Sequence, residues 1–308
     1  PRSRALSPTA MPLASLPERH CQRAASTYLT EDDLLHLGND ELTLTLLDPV
    51  EDEGRLGTRY VSGCYVYQID DTKLGPLFSG PAYPDDPPPV FDGQGLPEAF
   101  RSTMDPVDGR GIVFGNAIVV DDGSRSREKQ VLERCSWSVD QDQERRLRMS
   151  TTQRFGDRAL NLHREIVLAG RKITSTTRMQ NIGTLPLPLT WFAHPFFPWP
   201  EDGVCCRFSC DINLPDNAGF RINADGFIER IAGHDWSRGV FVQVDGVKGH
   251  LIEAAMRHPT AVEITVQGDF PMSAMPIWGN ARTVSFEPYL EDTVAPDAEV
   301  EWSLSYVV

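Results

Sequence analysis

From residue 40 onward the apolar residues of this chain recur at a period of two. Leu42, Leu44 and Leu46 alternate with Thr43 and Thr45. Leu160, Leu162, Arg164, Ile166 and Leu168 fall on one face, with Asn161, His163 and Glu165 on the other. Near the end, Val300, Trp302, Leu304 and Tyr306 alternate with Glu301, Ser303 and Ser305. That period belongs to a strand with one buried face. Tyr65–Ile69 is β-branched and aromatic, and further short strands are expected near 112–120, 131–138, 145–153, 172–179, 187–193, 239–244, 250–256, 261–267 and 283–287. Asp122-Gly123, Asp225-Gly226, Asp245-Gly246 and Gly268-Asp269 read as turns between them. No helical periodicity of useful length occurs between 40 and 308. Many short strands with frequent turns point to an all-β, antiparallel sandwich.

The segment 73–100 breaks the pattern. It holds seven prolines, and proline removes a ladder donor, which excludes a central strand. With Phe78, Tyr83, Phe91 and Phe100 in it, the segment is expected to be an ordered loop lying over the sandwich. Residues 1–30, rich in Pro, Ser, Ala and Arg, read as a loose lead-in, followed by a helix cap at Thr30-Glu31-Asp32-Asp33. With no linker and no fixed-period repeat, residues 31–308 are expected to form a single domain. The formal charge is −15, a field that repels phosphate backbones and anionic lipid, so neither nucleic acid nor membrane is an expected partner. No run of apolar residues is long enough to span a bilayer. Residues 1–26 carry four arginines but no sustained apolar core, unlike a secretory signal. Six cysteines without framework spacing fit reduced thiols and a cytoplasmic location. Cys205-Cys206-x-x-x-Cys210 lacks the second pair a structural zinc site needs. No phosphate loop, nucleophile elbow or dinucleotide fingerprint is present, so no metal or cofactor is expected.

Two strand ends could carry chemistry. One is Trp191-Phe192-Ala193-His194-Pro195-Phe196-Phe197, where an imidazole is followed by a proline and two aromatic rings. The other is Phe286-Glu287-Pro288, where a carboxylate stands before a proline. Proline stops each strand and fixes the chain after it. Aromatic rings offer apolar faces to the C–H face of a sugar. Taken alone, His194 reads more readily as a histidine capping a strand end, and Glu287 as a solvated carboxylate.

Together, and in this order, the two segments resemble the aldose 1-epimerase (galactose mutarotase-like) superfamily. The resemblance begins with Arg164, Arg178 and the Asn181-Ile182-Gly183 turn. It runs through His194-Pro195 and Glu287-Pro288 and closes with Pro296-Asp297-Ala298-Glu299 and the last strand, covering roughly residues 35–308. Asp297 stands where the superfamily usually has Gly. The resemblance implies a β-supersandwich with a sugar site on one concave face, and a small-molecule carbohydrate as partner. It implies that His194 protonates the ring oxygen and that Glu287 removes the proton of the anomeric hydroxyl, without metal or covalent intermediate. The unperturbed pKa of histidine, near 6.5, suits the acid role. Substrate contacts are expected from Arg59, Glu98, Arg110, Trp191, Phe196 and Trp278, with Arg59 and Glu98 paired across the pocket. Trp199 is expected near the same site. An earlier histidine of the superfamily has no counterpart in Val107–Asn116, where Arg110 stands instead. For a mid-chain substrate-binding aspartate the candidates are Asp211 and Asp235. A phosphorylated sugar could be met by Arg59, Arg101 and Arg110. The alternative reading is a carbohydrate-binding protein on the same fold that does not turn its ligand over.

Overall fold

The computed structural model describes residues 35–83, 92–101, 106–121, 123, 128–141 and 144–308. The lead-in and the Thr30–Asp33 cap lie outside the described residues. Strands dominate, and their pairing is antiparallel throughout. The longest sheet has ten strands. Its order is Phe220–Ile222, Ile228–Arg230, Val204–Phe208, Leu251–His258, Val262–Pro271, Glu299–Val307, Lys172–Asn181, Arg158–Ala169, Arg146–Phe155 and Ser138–Gln141. Its inner face is written in the alternation: Leu160, Leu162, Arg164, Ile166 and Leu168 are buried, while His163 on the same strand is exposed. The single α-helix among the described residues is the one-turn Glu53–Leu56, and no helix there is long and apolar enough to cross a membrane.

Gly268-Asp269 is not a turn. Both residues lie inside the strand Val262–Pro271, where Gly268 pairs with Leu304. A Cβ at Gly268 would stand 2.5 Å from Ile252 Cγ2, so the glycine serves close packing rather than chain reversal. The Asp269 carboxylate accepts hydrogen bonds from the Ser303 amide (2.6 Å) and hydroxyl (2.7 Å) across the sheet.

Two smaller sheets pack against the ten-stranded one, bringing Trp191 and Phe100 to Trp302, and Phe286 to Phe208. The first has three strands: Tyr289–Val294, Leu187–Ala193 in the middle, and Glu98–Phe100. The second has four: Phe197–Pro198, Thr283–Phe286, Pro276–Gly279 and, at the edge, Val240–Gln243. One apolar cluster runs from Leu37 to Tyr306 between these layers. A smaller cluster, Leu47, Tyr60, Tyr65, Ala99, Phe192, Phe196 and Tyr289, lies beside it. Within the proline-rich segment, Phe78 is buried against Phe197, and 98–100 forms the outer strand of the three-stranded sheet.

Candidate active site

The two small sheets meet at a corner, and both proline motifs are that corner. Leaving the three-stranded sheet at Ala193, the chain passes through His194-Pro195 and enters the four-stranded sheet at Phe197. It returns from Phe286 through Glu287-Pro288 and re-enters the three-stranded sheet at Tyr289. The flanking strands pair with each other: Phe192 opposite Tyr289, and Phe197 opposite Val284. The two crossings are therefore neighbours by register. Proline suits each, because a residue changing sheets has no ladder partner for its amide.

At this corner His194 Nε2 lies 3.4 Å from Glu287 Oε1, with the two residues 2 % and 3 % exposed. His194 Nδ1 is 2.9 Å from the hydroxyl of Ser285, which is fully buried. The imidazole stacks on Phe196 at 4.3 Å between centroids and meets Trp278 edge-on at 6.0 Å. The His194 amide donates to Pro97 O, and the Glu287 amide to Pro276 O, which fixes the backbone of both. Tyr289 lies flat on Phe192 at 4.6 Å, with its hydroxyl bonded to Glu287. Burial, and next the Glu287 carboxylate, push that hydroxyl well above the ordinary tyrosine range, so it stays a donor to Glu287.

A cleft of about 450 Å³ opens over the pair, a size ordinary for a small-molecule site. His194, Glu287, Phe196, Trp278, Arg59, Arg101, Asp92, Pro81 and Phe241 line it. Of the residues expected from the sequence, His194, Glu287, Arg59, Phe196 and Trp278 are thus brought together. Arg59 lies over the Tyr60 ring at 4.9 Å, and Arg101 over Phe192 at 4.5 Å. The loop carrying Arg59 is clamped by buried Asn116, which donates to Gly57 O (3.1 Å) and Tyr60 O (2.6 Å). Arg134 donates to the Asn116 side-chain oxygen at 2.6 Å.

Glu98, Trp191 and Arg110 lie elsewhere. Strand alternation explains the first two: Ala99 and Phe192 join the cluster beside His194, so Glu98 and Trp191 point the other way. Glu98 is buried against Arg164 at 2.7 Å and accepts from Ser175 (2.6 Å) and Trp191 Nε1 (3.0 Å). Its partner is Arg164 and not Arg59, whose Nη1 reaches Asp92 O at 3.5 Å. Arg110 is exposed on the outer strand of a separate three-stranded sheet, Arg110–Val113 with Ala117–Val120 and Val131–Arg134. Asp211 and Asp235 are exposed and do not line the cleft. Trp199 packs under the Arg230 guanidinium at 4.2 Å. Among the described residues no three His, Cys, Asp or Glu side chains are placed to hold a metal.

Ser285, Tyr289, Asp92 and Phe241 were not singled out from the sequence. Period two from Glu287 gives Ser285 and Tyr289 on its face, a signal that was present. Asp92 and Phe241 arrive from distant segments and carried none.

A ten-stranded antiparallel sheet backed by two smaller sheets is the galactose mutarotase-like β-sandwich fold. The solved structures similar to this chain have the same fold. A galactose mutarotase related enzyme from Lactobacillus acidophilus aligns over 89 % of this chain and 96 % of its own, at TM-score 0.56 and 9 % identity. An aldose epimerase homologue from C. elegans aligns over 89 % and 98 %, at 0.55 and 10 %. A galactose mutarotase-like protein from Clostridium acetobutylicum aligns over 89 % and 94 %, at 0.53 and 13 %. At these identities the likeness is one of fold. No family model and no curated protein matches the sequence.

Proposed function

We propose that the chain is an aldose 1-epimerase-type enzyme that interconverts the anomers of a small sugar by acid–base ring opening. The observation that carries this reading is the 3.4 Å approach of His194 Nε2 to Glu287 Oε1 at the base of an aromatic-walled cleft. The anomeric oxygen and the ring oxygen are bonded to the same carbon. A carboxylate and an imidazole this close can serve both at once.

The proton accounting closes with these two residues. Imidazolium His194 gives its Nε2 proton to the ring oxygen while carboxylate Glu287 accepts the anomeric hydroxyl proton. The ring C–O bond breaks and the aldehyde forms. Rotation about C1–C2 presents the other carbonyl face, and both transfers reverse. The Ser285 hydroxyl, 2.9 Å from Nδ1, supports this: in the tautomer protonated at Nδ1 it accepts that proton's hydrogen bond, which leaves Nε2 to cycle. Tyr289 donates to Glu287 and holds it in place. Arg59 and Arg101 give the cleft two fixed cations in a chain of net charge −15. That favours a sugar bearing a carboxylate or phosphate away from the anomeric carbon.

The test is anomer exchange by saturation-transfer NMR on glucose, galactose, a uronic acid and glucose 6-phosphate. Glu287→Gln and His194→Ala should each slow exchange by about 10²-fold or more, with circular dichroism unchanged. Loss of fold in both variants would make the pair structural. One feature favours a second reading, a binding protein without turnover: among the described residues that line the cleft, His194 is the one histidine. Sugar binding with no accelerated exchange would establish that reading instead.

A further inference from the structure

The four-stranded sheet carries one row of side chains outward from the acid–base corner. Ser285, Trp278 and Phe241 are register partners on three successive strands, Trp278 opposite Ser285 and Phe241 opposite Trp278. Directly opposed residues point to the same face. The alternate pair on the last two strands, Ile277 and Val242, is buried in the core, so the row faces the cleft. It begins at Ser285, which holds His194, and passes through Trp278, which meets the imidazole edge-on. It ends at Phe241 on the edge strand, 58 % exposed and lining the cleft.

Adjacent strands are about 4.8 Å apart, so Phe241 stands about 10 Å along the row from Ser285. One strand spacing is close to the width of a pyranose ring. A sugar with its anomeric carbon at His194 and Glu287 covers Trp278, and the ring attached to it reaches Phe241. Two details fit such a platform. A Cβ at Gly239 would stand 2.6 Å from Trp278 Nε1, so the indole lies against the backbone that leads into the edge strand. An exposed position on an edge strand is ordinarily given to a polar residue, and a large apolar ring left in water there gains by being covered.

We propose that Phe241 forms a second-ring subsite, and that the ligands of this cleft are reducing disaccharides or longer glycans. Their reducing ring sits at the corner and their next pyranose lies on Phe241. This rests on the sugar reading given above.

Binding to the full chain would be measured by tryptophan fluorescence and saturation-transfer difference NMR. The sugar pairs are glucose with cellobiose, glucose with maltose, and galacturonic acid with digalacturonic acid. The proteins are the unaltered chain, Phe241→Ala, Phe241→Trp and Glu287→Gln. In at least one pair the disaccharide should bind about tenfold tighter than the monosaccharide. Phe241→Ala should bring that ratio close to one, while Phe241→Trp and Glu287→Gln should keep it. No disaccharide advantage in the unaltered chain, or a ratio unmoved by Phe241→Ala, would overturn the subsite alone. Failure of every sugar in the panel to bind would remove the sugar reading and the subsite together.

Discussion

Single residues here are tuned by what surrounds them, and His258 is the clearest case. Its Nε2–H donates to Leu77 O at 2.8 Å. Its Nδ1 accepts from the amides of Ala261 (3.0 Å) and Thr260 (3.2 Å). Protonating Nδ1 would cost both acceptor bonds. Burial lowers the pKa of this ring below the ordinary histidine value, and the Leu77 bond offsets only part of that. A base whose pKa falls on folding stabilises the fold fully above its unfolded value of about 6.5 and loses that contribution as pH drops below it. The melting temperature should therefore fall between pH 7.5 and 5.5, and His258→Gln should flatten part of that fall. An unchanged slope in the variant would assign the acid sensitivity to other groups. Asp297 shows the same dependence on surroundings. Its φ of 62° lies in the left-handed region, where Asp is better tolerated than most residues. That is why a residue other than glycine can stand at this turn.

At the scale of elements, the site depends on an edge strand that reads poorly in sequence. Glu98–Phe100 is three residues long, follows a proline-rich loop, and has no alternation to announce it. Glu98 fastens it to the ten-stranded sheet through Arg164, Ser175 and Trp191. Pro97, its neighbour, accepts from the His194 amide. Glu98→Ala would leave Arg164 buried without its carboxylate, at a cost of about 3–5 kcal/mol. Denaturant unfolding should show that loss, and Arg164→Met in the same chain should recover a large part of it. If Glu98→Ala were as stable as the parent, the buried pair would not fasten the strand. The long strands were legible from the sequence because each has one face in the core. The two-residue strands Gly75–Pro76 and Phe197–Pro198 were not, because two residues are too few for a period to repeat.

Over the whole molecule, a charge of −15 coexists with a cleft that presents Arg59 and Arg101. Like charges spread over a compact body repel, and salt screens that repulsion over about 10 Å at 0.1 M. Raising NaCl from 0.02 to 0.3 M should therefore raise the melting temperature. A fall would mean that the surface ion pairs outweigh the repulsion. The sequence by itself determined the fold class, the inner face of the long strands and the two strand-end motifs. These follow from local alternation and from prolines that no ladder can accommodate. Only the tertiary structure decided that His194 touches Glu287, that Glu98 and Trp191 turn away from the cleft, and that Phe241 stands at its rim. The 92 residues between His194 and Glu287 are spanned by the register of two sheets meeting at a corner. Register is set by pairing across the whole layer, which no stretch of sequence carries alone.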